Sequence, residues 1–80
     1  MLRVIVVSPE ATLFEGEAPS VVAPAYDGLV GILTGHAPMV TLLGTGTLKV
    51  GRGPTFSESG GFVQVVDDVV RFVTEKGSKN

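Results

Sequence analysis

Cysteine is missing from this 80-residue chain, and tryptophan with it. Without thiols there is neither a disulfide nor a thiolate zinc site, so the fold holds by packing alone, which suits a reducing, intracellular compartment. One tyrosine and four phenylalanines are too few rings for a sugar-stacking platform once Phe56, Phe62 and Phe72 are assigned to the core. Charge of one sign is also scarce, eight acids against six bases giving a net charge of −2. Arg3, Lys49, Arg52, Arg71, Lys76 and Lys79 form no stripe, and a chain without a concentrated positive field is not expected to bind nucleic acid. No apolar run approaches the ~20 residues that a bilayer demands. The opening MLRVIVVSPE lacks the basic segment and long apolar centre of a signal peptide. The expectation is one soluble domain that begins where its fold begins, near the lower size at which a core holds without staples.

What the chain does have is strand-like patterning. LRVIVVS, from Leu2 to Ser8, is rich in β-branched residues and places Leu2, Val4 and Val6 on one face; Pro9 ends it, because proline offers no N–H to a ladder. Apolar pieces recur at Leu13-Phe14, Val21 to Ala23, Leu29 to Leu33, Met39 to Leu43, Thr47 to Val50, Thr55 to Ser57, Phe62 to Val66 and Val69 to Thr74. Eleven glycines and five prolines punctuate the gaps, the pattern of tight turns in a sandwich or barrel. GGFVQVVDDVVRFVT reads as a hairpin, with Val63 and Val65 sharing a face with Val70 and Phe72 across a turn at Asp67-Asp68. The reading is therefore all-β, with residues 1–75 as the domain and residues 76–80 as a flexible polar tail.

No catalytic constellation is visible. The single histidine, His36, has Asp27 upstream and Ser57 and Ser59 downstream, yet no nucleophile elbow and no triad spacing connect them. One imidazole without a second His or a Cys makes no zinc site, so neither metal nor cofactor is expected. GTGTLKVG, from Gly44 to Gly51, lacks the ending of a phosphate loop and reads as turn chemistry. Asp67-Asp68 reads as a solvated hairpin tip rather than a paired-carboxylate site. The informative stretch is GLVGILTGHAPMVTLLGTG, in which Gly31, Gly35 and Pro38 fix the backbone around His36 and are assigned, with Gly60 and Gly61, as turn-forming. A rigid turn presenting a histidine suits an interface, so a binding or assembly module is expected.

Three blocks carry a resemblance: VVSPEATLFEGEA at 6–18, DGLVGILTGHAPMVTLLGTGTLKV at 27–50 and SGGFVQV at 59–65. In order and spacing they resemble the N-terminal β-sandwich domain of the ε subunit of F-type ATP synthase, called δ in mitochondria. The resemblance spans nearly the whole chain and implies a small β-sandwich of two five-stranded sheets. It implies a noncatalytic central-stalk subunit of F1Fo that binds the γ subunit on one side and the c-ring at its foot, coupling ion translocation to ATP synthesis. Carried over position by position, it assigns Ser8, His36 and Thr41 to the γ contact and Tyr26, Asp27, Gly28 and Leu29 to the c-ring contact. The second reading of His36 is that its ring holds the turn by hydrogen-bonding a neighbouring carbonyl.

Departures from the family pattern are Thr34, where many members have proline, and Leu29-Val30, where members commonly have an acidic residue in the ring-facing loop. A third is length: a chain ending at Asn80 has no two-helix C-terminal domain, so it is expected to couple without inhibiting ATP hydrolysis. The resemblance places the subunit at the cytoplasmic face of a bacterial inner membrane, peripheral and not inserted. The competing reading is a free-standing β-sandwich module for a ligand or peptide. An enzyme would have to show activity that disappears on His36→Ala, and none is expected.

Overall fold

Residues 1–80 are described by a computed structural model, and the first apolar run forms β1 (Leu2–Val7). Alternation buries Leu2, Val4 and Val6 completely and leaves Arg3 exposed on the other side. Pro9 falls in the turn to β2 (Thr12–Ala18), which returns antiparallel to β1 with a register shift between Val6 and Val7. β3 (Ser20–Ala25) and β4 (Gly28–Leu33) form a hairpin, followed by the shorter β5 (Met39–Leu42) and β6 (Thr45–Val50). The chain closes with a long hairpin of β7 (Thr55–Val66) and β8 (Val69–Lys79). The protein is all-β.

Hydrogen-bonded pairing runs continuously in the order β2-β1-β8-β7-β6-β3-β4, with β5 joined to β7. The long hairpin folds this path into two layers. Residues 55–59 of β7 pair with β6, whereas residues 62–65 pair with β5. Between them lie Gly60 and Gly61, with φ of 73° and 101°, a conformation that costs glycine little and other residues much. The inward parity changes there: Phe56 and Glu58 are buried before the glycines, Val63 and Val65 after them. The first layer therefore contains β2, β1, the first half of β8, the second half of β7, and β5. The second contains β4, β3, β6, the first half of β7 and the second half of β8. Eight strands supply two five-stranded layers because β7 and β8 each serve twice.

The inner faces meet in one core. Val4, Val6, Val63, Val65, Val70 and Phe72 come from the first layer, and Val21, Ile32, Leu48, Val50 and Phe56 from the second. Phe14 bridges the layers edge-on to Phe56, with ring centroids 6.0 Å apart. Each fully buried side chain of this kind contributes roughly 1.5–3 kcal/mol relative to exposure. The turn at Asp67-Asp68 has φ of 50° and 62° at its two central residues, the sign required by the tight hairpin turn whose twist matches its strands.

Several expectations need correction. Residues 76–79 are not a loose tail: Lys76, Gly77, Ser78 and Lys79 pair with Ser59, Glu58, Ser57 and Phe56, since the backbone ladder needs no apolar side chains. Phe62 is not a core residue; the parity change after Gly60-Gly61 turns it outward, 38% exposed. Gly31 lies within β4 opposite Val22, and Gly60 and Gly61 lie within β7, so these three bend or thin strands rather than form turns. Gly35, with φ of 85°, does sit in the turn after β4.

Candidate interaction surface

His36 follows β4 in a turn closed by its own N–H to the Leu33 carbonyl at 3.1 Å. Its Nδ1 lies 2.7 Å from the Ala37 carbonyl oxygen, which can only accept, so the contact is a hydrogen bond in the forms of the ring that carry a proton on Nδ1. The turn is pinned from outside by Asp68, whose Oδ1 accepts the Gly35 N–H at 2.7 Å. Asp68 thus joins the hairpin tip to the histidine turn, and the Arg3 N–H, donating to the Asp68 carbonyl at 2.8 Å, ties β1 to the same point.

Ser8 lies just past β1, its hydroxyl donating to the Ala11 carbonyl at 3.2 Å and accepting the Ala11 N–H at 3.3 Å. Thr41 lies within β5 opposite Val63, half-buried. These residues do not form one cluster. Arg3 marks the end of β1 near His36, and Ser8 the other end, five residues of extended chain or ~17 Å away. Ser8 and His36 lie at opposite ends of the first layer, and Thr41 lies on its edge strand β5 with the inward parity of its neighbour Val63.

The outer face of the first layer is built from rows set by the pairing register. Val7, Val73, Phe62 and Leu42 lie side by side across four strands. The next row is Ile5, Arg71, Gln64 and Val40, and the third contains Arg3, Val69 and Val66. Leu42 and Val40 are 62% and 67% exposed, and Phe62, Val66 and Val69 are also exposed. Two apolar rows flank the polar band of Arg71 and Gln64. A depression of about 350 Å³ lies over Gln64, Val66, Asp67, Val69 and Arg71. Exposed apolar rows are among the surface features that interaction sites use.

The family model for the β-sandwich domain of the ATP synthase delta/epsilon chain matches residues 1–79. The chain belongs to the ATP synthase delta/epsilon family. It is 42% identical over 80 residues to an ATP synthase epsilon chain of Leptospira borgpetersenii, covering 96% of this chain and 63% of that one. An epsilon chain of Nostoc sp. is 37% identical over 83 residues, covering 98% of this chain and 61% of the relative. This chain thus spans somewhat under two thirds of the length of these relatives. A subunit in a cryo-EM structure of the Euglena gracilis mitochondrial ATP synthase superposes with a TM-score of 0.88 at 25% identity, covering 98% of this chain and 52% of that one. The fold also matches a chain in the central stalk and c-ring structure of the Tetrahymena thermophila enzyme, with a TM-score of 0.81, 18% identity, and coverage of 96% and 65%.

The loop assigned by this family likeness to the c-ring is the exposed β3–β4 turn. Tyr26 is 69% and Leu29 78% exposed, with Asp27 and Gly28 between them, and the Tyr26 N–H donates to the Leu42 carbonyl at 3.1 Å. No group of three or more His, Cys, Asp or Glu side chains is gathered to hold a metal. No helix is long and apolar enough to cross a membrane.

One residue escaped sequence reading. Glu58 is buried, its cross-strand neighbours are Gly46 and Gly77, and neither carboxylate oxygen has a hydrogen-bond partner. Burial pushes its carboxyl from 4.5 up to about 7. The signal was present: two residues after Phe56 in a strand is the same face. A depression of about 370 Å³ lies over the same strands, lined by Glu58 and Gly77 together with Thr45, Ser57, Ser59, Lys76 and Ser78.

Proposed function

We propose that this domain is a noncatalytic rotor-stalk subunit of F1Fo ATP synthase, seating the outer face of its first layer against the γ subunit and directing the Tyr26–Leu29 loop toward the c-ring. The observation that carries the proposal is the pair of apolar rows at Leu42, Phe62, Val66 and Val69, with Ser8 and His36 at the ends of the same layer and Thr41 on its edge strand. Such a face stays solvated at a cost in a free chain and gains when covered, whereas ATP chemistry would need convergent nucleophiles or bases. The Nδ1 contact to the Ala37 carbonyl supports the turn-holding reading of His36, and the half-buried ring is assigned to the edge of the γ contact. Leu29 offers the ring an apolar contact. As part of such a motor the subunit is peripheral to the membrane, on the cytoplasmic side in a bacterium.

A calorimetric titration against the γ subunit of the same organism tests this. One-to-one binding is expected, weakened at least about tenfold by Leu42→Lys, which buries an unpaired charge at the contact, and less by His36→Glu. Absence of binding by the folded wild-type domain overturns the reading.

A further inference from the structure

The sheet ends in four open edges, at β2, β4, β5 and the second half of β8. An open edge offers unpaired N–H and C=O groups to any passing strand, so most edges carry a deterrent. β2 has Glu15, Glu17 and the register shift beside Val7. β5 has four residues, follows Pro38 and meets the Tyr26 N–H at its end. The second half of β8 carries Lys76 and Lys79. β4, GLVGIL, has no charge, no proline and no bulge, and its outward Leu29 and Leu33 are 78% and 64% exposed.

The hydrogen-bonding phase of that edge follows from its neighbour. The Ser20 and Pro24 carbonyls accept from the Gly51 and Gly44 N–H groups, both 2.8 Å, so these residues point their polar groups away from β4. Their partners across the hairpin are Leu33 and Leu29, with Gly31 opposite Val22 between them. In an antiparallel ladder such pairs point outward on both strands, so Leu29, Gly31 and Leu33 turn their backbone groups to the open edge.

We propose that two copies of this chain pair antiparallel through their β4 edges, with Gly31 on the two-fold axis. Copies related by an axis perpendicular to the sheet keep their outer faces on the same side. Facing residues must then share a parity, and a register centred on Gly31 satisfies this. It sets Leu29 against Leu33 of the second copy on the outside and Val30 against Ile32 on the inside. The same register uses the outward N–H and C=O groups of Leu29 and Gly31 and the N–H of Leu33, whose carbonyl, already accepting the His36 N–H at 3.1 Å, has its second lone pair left for the partner strand. Asp27 then falls opposite Gly35 of the second copy, so no like charges meet. Leu29 belongs both to the paired strand and to the loop directed toward the c-ring in the proposed function, so pairing and that ring contact compete for it.

Sedimentation equilibrium of the full chain reads this directly. The apparent mass rises toward that of a pair over roughly micromolar to millimolar concentration, the range of a small interface. Leu29→Lys with Leu33→Lys abolishes the rise, and Leu42→Lys, on the other exposed apolar face, leaves it unchanged. Gly31→Cys supplies the only thiol in a chain with none, and a Cβ there meets no atom within 4 Å. On oxidation it links copies across an expected Cα separation of about 5.5 Å. A chain that stays monomeric at ~1 mM, a pair that survives the two lysines, or a pair that Leu42→Lys dissolves overturns the proposal.

Discussion

The two halves of the β7–β8 hairpin face opposite fates. Residues 55–59 and 76–79 show water Ser57, Ser59, Lys76 and Ser78, whereas residues 61–66 and 69–73 show it Phe62, Gln64, Val66, Val69, Arg71 and Val73. The inward sides differ as well: the first half buries the unpartnered Glu58, the second only apolar side chains until Thr74, whose hydroxyl donates to the Val7 carbonyl at 3.0 Å. One half is finished as a polar surface, and the other exposes the apolar rows on which the proposed γ contact rests. A sheet face may be polar or apolar without changing the ladder beneath it, so the difference reports what each face meets.

The largest effect is expected from breaking the switch between the halves. In Gly61→Ala the new Cβ collides with the Val73 carbonyl, on a backbone at φ 101° that alanine resists. A loss of more than ~3 kcal/mol is expected in urea denaturation, a large part of a small domain's stability. Next comes Glu58→Leu. The folded carboxyl titrates near 7, above its ordinary 4.5, so the folded state holds its proton more tightly than the unfolded one. Its contribution is therefore fully present below about pH 4.5 and is lost as pH rises through 7. Glu58→Leu should raise stability at pH 8 by on the order of 1–3 kcal/mol, with much less gain at pH 4, flattening the decline between them.

A smaller change at the tip of the second half is Asp68→Ala, which leaves the Gly35 N–H without its acceptor and strains the left-handed turn position. A loss of about 1–2 kcal/mol is expected by thermal denaturation, with Asp68→Gly recovering the backbone share but not the hydrogen bond. Smallest is the Arg3–Glu15 pair on the rim, 2.6 Å apart with both side chains about half exposed. Glu15→Gln should cost under ~1 kcal/mol and less still in high salt.

Much of this was legible in the chain. The alternation of Leu2, Val4 and Val6, the hairpin across Asp67-Asp68 and the glycine before His36 depend on residues close in sequence, and the structure places all three. The polar tail was misread because its pairing is made by backbone groups, on which composition is silent. Phe62 is assigned to the core as one of few rings, yet the face shared by Val63 and Val65 already sets its side chain on the opposite side, where it is 38% exposed. Ser8, Thr41 and His36 could be named from the sequence, but not that they lie apart, two at opposite ends of one layer and one on its edge strand.

By itself the sequence determined where strands begin, turn and alternate, because steric limits on φ, missing proline N–H groups and period-two side-chain direction are local. Only the tertiary structure decided that Leu42 lies beside Phe62, that Glu58 has no partner, and that β4 is an edge without a deterrent. Adjacency across strands, burial and the emptiness of an edge are set by what lies opposite, and that is fixed by the register of distant segments.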